Sequence, residues 1–253
     1  MNHPGEVEDE FGVPIPGRIL SKDQWTQTAL KRLPLNGPLD WPSLFGRTAP
    51  IVLDLGCGNG RFTLGSALAR PENDHFAADS LPVVIRYATR RANQRGLSNV
   101  RFAVRDAQSL LGEYVADGSV AEIHIYHPQP YHDPARGHLR LMTPRFLADV
   151  HRALSLSGLL VVQTDHPDYW SYLREILPVF FNFAERDEPW PDAPEGRSRR
   201  EILSRSRGLR IYRGSGRRRD ALDRRSALAA AADLPLPQFL SRGPWCELDD
   251  AGE

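Results

Sequence analysis

The chain has 253 residues, of which 41% are hydrophobic and 25% charged, and these ordinary globular values exclude collagen-like, fibrous and wholly disordered proteins. Its 32 basic and 32 acidic side chains give a net charge of zero, so whole-chain charge offers no argument for a nucleic-acid partner. No segment approaches the roughly 20 apolar residues of a membrane span, and the first residues lack the features of a secretory signal. Only Cys57 and Cys246 are present, too few for a disulfide framework, so we expect a cytoplasmic protein without membrane contacts.

The first 49 residues predict an N-terminal arm with one short helix. Residues 1–20 are acidic and rich in proline and glycine, which is typical of a loose segment. The spacing of Trp25, Ala29 and Leu33 predicts a helix over 22–33 with one apolar face. Prolines then mark a loop that runs to residue 50.

Strands and helices alternate through the middle of the chain. Apolar runs predict seven strands, at 51–55, 75–78, 100–104, 120–126, 159–164, 180–184 and 209–212. Periodic stretches predict helices near 61–70, 82–95, 144–156 and 168–177. This alternation is typical of a doubly wound, Rossmann-like α/β sheet, which we assign to one domain at 50–213.

The last 40 residues predict an extension, at 214–253, that is basic at first and acidic at its end. Residues 226–232 predict a helix, because they are mostly alanine. The proline-rich tail after that helix is expected to lie at the periphery.

A glycine-rich turn follows the first strand and leads into a helix, with Gly56, Gly58 and Gly60 in the order G-x-G-x-G. Glycine lets a backbone approach a ligand closely, and open α/β sheets bind ligands at the carboxyl ends of their strands. Dinucleotide loops have the spacing G-x-G-x-x-G, and Asp54 would repel a pyrophosphate but suits a cation. The pattern therefore favours S-adenosylmethionine, which carries a sulfonium and an α-ammonium group, over NAD. The alternative is a tight turn without a ligand.

Two further acids stand at the ends of the next two strands. Asp79 follows the second strand, where an acid can accept hydrogen bonds from ribose hydroxyls. Asp106 follows the third strand, a position suited to the adenine amino group. Each acid alone could be a helix N-cap, but acids at three successive strand ends favour a cofactor site.

The segments after the fourth and fifth strands carry a family resemblance. Residues 126–132 read Y-H-P-Q-P-Y-H, and R-L-M-T-P-R-F-L follows at 140–147. This resembles the bacterial tRNA (guanine-N7-)-methyltransferases, whose fourth motif reads F-P-D-P-W-H-K, followed by a basic stretch, R-L and P-x-F-L. Residues 164–165 are similar to the end of the family's A-T-D, 198–201 to its T-x-x-E and 208–213 to its G-x-x-I-Y-R. The resemblance covers about residues 50–213.

The resemblance implies methyl transfer from S-adenosylmethionine to N7 of a guanosine in the variable loop of tRNA. It also implies six parallel strands and a last antiparallel strand at 209–212. Cofactor binding falls on Asp54, Asp79 and Asp106, on the backbone at Gly56, Gly58 and Gly60, and on Gln129, which occupies the position of the family's catalytic Asp. Substrate binding falls on Asp133, Asp165, Ser198, Arg199, Arg200 and Glu201.

Three residues depart from the family pattern: Gln129 replaces Asp, Tyr131 replaces Trp and Asp133 replaces Lys. Guanine N7 has a free lone pair, so its methylation needs alignment rather than a general base. Gln129 can accept and donate hydrogen bonds but supplies no negative charge for the cationic product. Asp133 would repel a phosphate that Lys would attract.

An arginine-rich segment follows the guanine motif, with 12 arginines and three acids between residues 197 and 225. Arginine pairs with phosphate in a bidentate manner, so this segment predicts a tRNA-binding strip, with a solvated surface as the alternative.

His132 fits a loop role and a substrate contact equally well, and no cysteine and histidine spacing indicates a metal. The oligomeric state stays open, with a monomer preferred. Two other functions stay open: a methyltransferase of another RNA or small molecule, and a non-catalytic tRNA-binding protein.

Overall fold

The computed structural model describes residues 4–35, 37–239 and 243–245. These residues form two compact units, the first within 1–116 and 189–202 and the second within 117–188 and 203–253. The seven strands of the main sheet divide into three in the first unit and four in the second. In the part of the chain that the structure describes, the helices all lack the length and hydropathy that crossing a bilayer requires.

The first unit contains a small hairpin and three parallel strands with their helices. Its elements are β1 (Asp9–Glu10), β2 (Val13–Pro14), α1 (Trp41–Phe45), β3 (Ile51–Leu55), α2 (Arg61–Ala69), β4 (Asp74–Asp79), α3 (Pro82–Gln94), β5 (Val100–Val104) and α4 (Ala107–Ser109). The strands lie in the order β5-β4-β3, with Ile51 in register with Asp74 and His75 with Val100. All five residues of β3 are buried, as expected for a strand covered on both faces.

The N-terminal segment is part of this unit rather than the loose arm that its composition predicts. Ile15 and Ile19 are buried, and Ile15 joins the core cluster with Phe102. The acids of the segment pair with arginines at the end of α3: Arg91 lies 3.0 Å from Glu10, and Arg95, the C-cap, lies 3.2 Å from Glu8. Opposite charges and buried isoleucines therefore fix a segment whose composition alone resembles disorder.

The helix predicted over 22–33 is also absent. Only a 3₁₀ turn forms at Lys22–Gln24, and the chain then extends so that Ala29 bridges Phe102 of β5 in parallel. The amide and hydroxyl of Thr28 both donate to Asn93, at 2.9 and 2.8 Å. Pairing with β5 and α3 outweighs a weak helical pattern that contains two β-branched threonines.

The second unit contains four strands in the order β6-β7-β9-β8. Its elements are β6 (Val120–Tyr126), α5 (Pro144–Ala153), β7 (Leu154–Thr164), α6 (Pro167–Phe180), β8 (Phe181–Arg186), α7 (Arg199–Ser206), β9 (Tyr212–Arg218) and α8 (Arg224–Asp233), and α7 begins within the first unit. Strands β6 and β7 are parallel, whereas β9 is antiparallel to both β7 and β8. The doubly wound α/β sheet, mostly parallel with an antiparallel last strand, is confirmed.

Strand β9 begins where the predicted strand at 209–212 ends. Two of its residues, Gly214 and Gly216, lie against Phe183 of β8: a Cβ at Gly216 would stand 2.9 Å from the Phe183 Cα. A Cβ at Gly214 would stand 2.7 Å from the Ala184 carbonyl oxygen. Because these two residues lack side chains, β8 can pair closely with β9. Glycine has a low strand propensity, so the sequence does not indicate a strand at these positions.

The segment after α8 packs on the second unit, at least to Phe239. The Phe239 side chain is buried, and the Arg140 guanidinium donates to the carbonyls of Pro237 and Phe239 at 2.8 and 2.9 Å. The helix predicted at 226–232 is confirmed. The expectation that the tail after it lies at the periphery is wrong for the residues up to Phe239. Residues 240–242 and 246–253 lie outside the described residues.

Candidate active site

The glycine turn between β3 and α2 is tied to the end of β4. The amide of Gly56 donates to the Ala78 carbonyl at 2.9 Å, and that of Gly58 donates to Asp79 Oδ2 at 3.0 Å. The other carboxylate oxygen of Asp79 accepts the amide of Leu81 at 2.9 Å. Asp79 therefore holds the turn with one oxygen and the start of α3 with the other.

The turn is closed on one side and open on the other. A Cβ at Gly60, whose φ is +80°, would lie 2.8 Å from the Ala88 side chain, so only glycine fits there. Gly56 and Gly58 also have positive φ, but a Cβ at either would meet nothing within 4 Å. The backbone at these two glycines faces open space, as a turn that accepts a ligand requires.

Asp54 is a buried acid directly beneath this turn. Its side chain is 3% exposed and accepts a hydrogen bond of 2.5 Å from the Thr63 hydroxyl. Burial raises the pKa of Asp54 to about 7, the Thr63 hydrogen bond opposes that rise, and the charge of Asp79 adds to it. A cation near this carboxyl would replace the hydration that burial removes.

The neighbouring Cys57 thiol is not a nucleophile. Burial, with the charges of Asp54 and Asp79, raises its pKa well above the usual range, so it stays protonated.

The hairpin β1–β2 reaches the same turn, which the sequence did not indicate. Asn59, between the last two glycines, donates to Glu10, and Glu10 also accepts from Arg91 at 3.0 Å. Thr63, which donates to Asp54, and Glu10, which accepts from Asn59, are thus contacts of this turn that the motif did not indicate.

Asp106 begins α4 as its N-cap, with Oδ1 accepting the Ser109 amide at 2.8 Å. The carboxyl stays exposed at the end of β5, and the Arg105 amide donates to the Asp79 carbonyl at 3.0 Å. The three predicted acids therefore stand at successive strand ends. Asp106 is also a helix N-cap, which was the alternative interpretation of each acid taken alone.

The S-x-x-E motif caps the start of α7 with both of its side chains. Ser198 accepts the Glu201 amide at 3.1 Å, and the buried Glu201 carboxylate accepts the Arg197 amide at 2.8 Å. The Arg199 guanidinium lies over the Phe11 ring at 5.0 Å, and Arg200 is half-buried. This pattern marks a helix start, so α7 was recognisable from sequence.

In the second unit, the loop after β6 carries Gln129 on its exposed side. His127 and Tyr131 on either side have φ values of +50° and +46°, an uncommon conformation for residues with a Cβ. Arg140 fixes the loop, because its guanidinium donates to the carbonyls of Pro130 and Tyr131 at 2.7 and 2.8 Å.

Asp133 is exposed and caps a 3₁₀ turn at Pro134–Leu139, accepting the Ala135 amide at 2.9 Å. Arg136 lies over the Tyr131 ring at 4.9 Å. His132 stacks on His166 at 5.2 Å, which favours the loop role over a substrate contact. Burial lowers the pKa of His166 to about 4.

Asp165 follows β7 and is held from two sides. Its Oδ2 accepts the Ser204 hydroxyl of α7 at 2.5 Å, and its Oδ1 lies 3.3 Å from His127 Nδ1. The N-cap of α6 is His166 rather than Asp165, so capping does not account for this buried acid. His127 and Ser204 were missed, although a histidine at the family's Phe position was a visible signal.

The comparisons agree with the motifs. The family model described as "Putative methyltransferase" matches residues 48–212. The tRNA (guanine-N(7)-)-methyltransferase of Paracidovorax citrulli is 32% identical over 181 residues, which are 70% of this chain and 71% of that protein. The chain belongs to the tRNA (guanine-N(7)-)-methyltransferase family. The member from Alkalilimnicola ehrlichii is 30% identical over 186 residues, or 74% of this chain and 78% of that protein.

A solved structure supports the methyltransferase fold. The 16S rRNA methyltransferase KamB aligns with a TM-score of 0.55 at 18% identity, over 76% of this chain and 98% of that one. At this identity the likeness concerns the fold alone.

The arginine segment of this family member does not form one positive strip. Arg197 lies between the Trp190 and Phe62 rings, at 4.3 and 5.3 Å, and pairs with Asp192 at 2.6 Å. Arg213 is buried and donates to the Asp187 carbonyl at 2.9 Å. These two arginines are therefore structural.

Four exposed arginines of the segment lie in two separate places. Arg207 and Arg210 follow the end of α7. Arg217 lies near the end of β9 and Arg219 directly after it, and Arg217 donates to the Ser157 carbonyl at 2.7 Å. Arg217 is in register with Leu159, five residues before Thr164 on β7, so it stands about 17 Å along the strand from the Asp165 end.

Among residues 4–35, 37–239 and 243–245, no group of three or more histidine, cysteine, aspartate or glutamate side chains is arranged to hold a metal ion.

Proposed function

We propose that this protein transfers a methyl group from S-adenosylmethionine to N7 of a guanosine in tRNA. Family membership supports the reaction. The observation that carries it is the buried Asp54, whose raised pKa reflects burial beneath a turn that is open at Gly56 and Gly58. Such a carboxylate gains most from a cationic ligand.

The residues of the first unit fit the methyl donor. Asp54 binds a positively charged group, Asp79 and Asp106 offer carboxylate oxygens to hydroxyl and amino groups, and the backbone at the three glycines lets the ligand approach. When bound, S-adenosylmethionine supplies an electrophilic methyl on its sulfonium. Because Cys57 stays protonated, we infer direct transfer without a covalent enzyme intermediate.

The guanine contacts come from a second set of residues. Carboxylates accept hydrogen bonds, which suits Asp165 and Glu201 to the donor groups of guanine, and Ser198 and Gln129 add neutral polar contacts. Arg199 and Arg200 bring positive charge to the start of α7. Since N7 carries no proton, these groups need only align the base, and alignment alone accelerates a reaction strongly.

Gln129 gives the proposed site its particular character. Its exposed amide can accept and donate hydrogen bonds, but unlike an aspartate it adds no negative charge beside the methylated, cationic base. We therefore expect slower turnover than an aspartate would give. We further propose that the protein works in the cytoplasm and as a monomer.

The decisive experiment uses the purified full chain with labelled S-adenosylmethionine and tRNA that lacks N7-methylguanosine. After digestion, the label should appear in N7-methylguanosine. A matched tRNA whose target guanosine is replaced by 7-deazaguanosine, which has no N7 nitrogen, should take up no label. Cofactor binding without label in any nucleoside would overturn the proposal.

One observation favours a second candidate, a methyltransferase of another RNA. Asp133 keeps an exposed negative charge where the family resemblance has a substrate-binding lysine, and this charge disfavours a phosphate at that point. Label in ribosomal RNA rather than tRNA, under the same conditions, would support this candidate.

A further inference from the structure

A chain of buried polar side chains runs from β9 to α7 through Asp165. Arg213 Nε donates to Gln163 Oε1 at 3.4 Å, and Gln163 Nε2 lies 3.1 Å from His127 Nε2. His127 Nδ1 then faces Asp165 Oδ1 at 3.3 Å, and Ser204 donates to the other oxygen. All five residues belong to the second unit.

The chain fixes which histidine nitrogen carries the proton. Arg213 has only donors, so it holds the oxygen of the Gln163 amide and turns the amide NH₂ toward His127. Nε2 of His127 must then accept, which leaves the hydrogen of the neutral ring on Nδ1. That nitrogen is the one aimed at Asp165.

The backbone supports this arrangement. His127 has a φ of +50°, and its amide donates to the Gln163 carbonyl at 2.7 Å, which extends the β6–β7 ladder by one residue. Its side chain is 6% exposed. Uncommon backbone conformations persist at sites where the surroundings demand them.

We infer that His127 is a positioning residue that holds the Asp165 carboxylate for guanine binding. His127 Nδ1 lies 3.3 Å from Oδ1, and Ser204 anchors Oδ2. Because a carboxylate oxygen has two lone pairs, Oδ1 can accept a hydrogen bond from a base while it faces His127. His127 touches neither the base nor the methyl donor. This inference rests on the proposed function.

Three substitutions of His127 distinguish the role of Nδ1 from that of Nε2. His127→Phe removes both, His127→Asn keeps an amide nitrogen near the Nδ1 position, and His127→Gln reaches only the Nε2 position. Because His127→Phe and His127→Gln remove the polar group that faces Asp165 Oδ1, we expect both to raise the KM for tRNA about tenfold. His127→Asn should restore the KM to within about threefold of wild type. The kcat should change little, because Asp165 binds the base equally in the ground and transition states.

Two controls make the result specific. S-adenosylmethionine affinity, measured by calorimetry, should be the same in all variants, and adding His127→Phe to an Asp165→Asn background should have no further effect on KM. A wild-type KM for His127→Phe, or equal losses in the Asn and Gln variants, would overturn the inference alone. Wild-type protein that fails to methylate N7 would overturn the proposed function itself.

Discussion

Asp54 gives the sharpest quantitative test of the cofactor site. Burial moves its pKa from 3.8 to about 7, a rise of about three pKa units. A cationic ligand binds the ionised form, so binding should release a proton from the fraction of molecules that is still protonated. Between pH 5.5 and pH 7 the ionised fraction rises from about 3% to about 50%, so the affinity for S-adenosylmethionine should rise about 15-fold.

The assay is isothermal titration calorimetry at several pH values, with two buffers of different ionisation enthalpy at pH 6. The buffer difference should report about 0.9 proton released per ligand bound. Asp54→Asn keeps an acceptor for Thr63 but cannot ionise, so its affinity should be low and nearly independent of pH. An equal pH dependence in wild type and Asp54→Asn would refute the assignment of the cation site.

The same shift also predicts the direction of a stability change. The folded carboxyl binds its proton more tightly than the unfolded one, so its contribution is present below about pH 4 and is lost as the pH rises to about 7. At about 1.4 kcal/mol per pKa unit, the loss is on the order of 4 kcal/mol. Urea unfolding at pH 8 should therefore find Asp54→Asn more stable than wild type.

Five further variants test the rest of the site. Gln129→Asp should raise kcat in single-turnover methylation without changing thermal stability, because the side chain is exposed. Arg140→Ala should lower the free energy of unfolding by about 3 kcal/mol, since four carbonyls lose a buried charged donor. Ser198→Ala should cost about 1 kcal/mol of stability in denaturant unfolding through the lost helix cap. Arg207→Ala with Arg210→Ala should lower the salt slope of tRNA binding by about 1.5, and Arg217→Ala should lower it less.

Local patterns were sufficient to predict most of the parallel strands of the main sheet. The strands at 51–55, 100–104 and 120–126 are confirmed at both ends, because each is an apolar run bounded by turn residues. The glycine turn and the acids at the ends of β3, β4 and β5 also follow from order along the chain. Parallel strands bring their carboxyl ends to one edge, so this part of the site needed no long-range knowledge.

The rest depended on contacts that no local pattern encodes. The N-terminal segment is ordered by Arg91 and Arg95, about 80 residues away along the chain. Strand β9 contains two glycines and is a strand only because β7 and β8 pair with it on both sides. His127 acquires its contact with Asp165 through β6–β7 register, which the sequence of either strand alone does not contain.

The close approach of β8 to Gly214 and Gly216 has a consequence for reading mutational scans of this family. Any side chain at these positions must displace Phe183 or separate the two strands, so nearly all substitutions should abolish function through misfolding. A scan scored only by activity would rank these glycines beside Asp54 and Asp165, although their requirement comes from the packing of β8 against β9. Scoring protein abundance in parallel would separate the two classes, since variants at the acids should accumulate to normal levels while variants at the glycines should not.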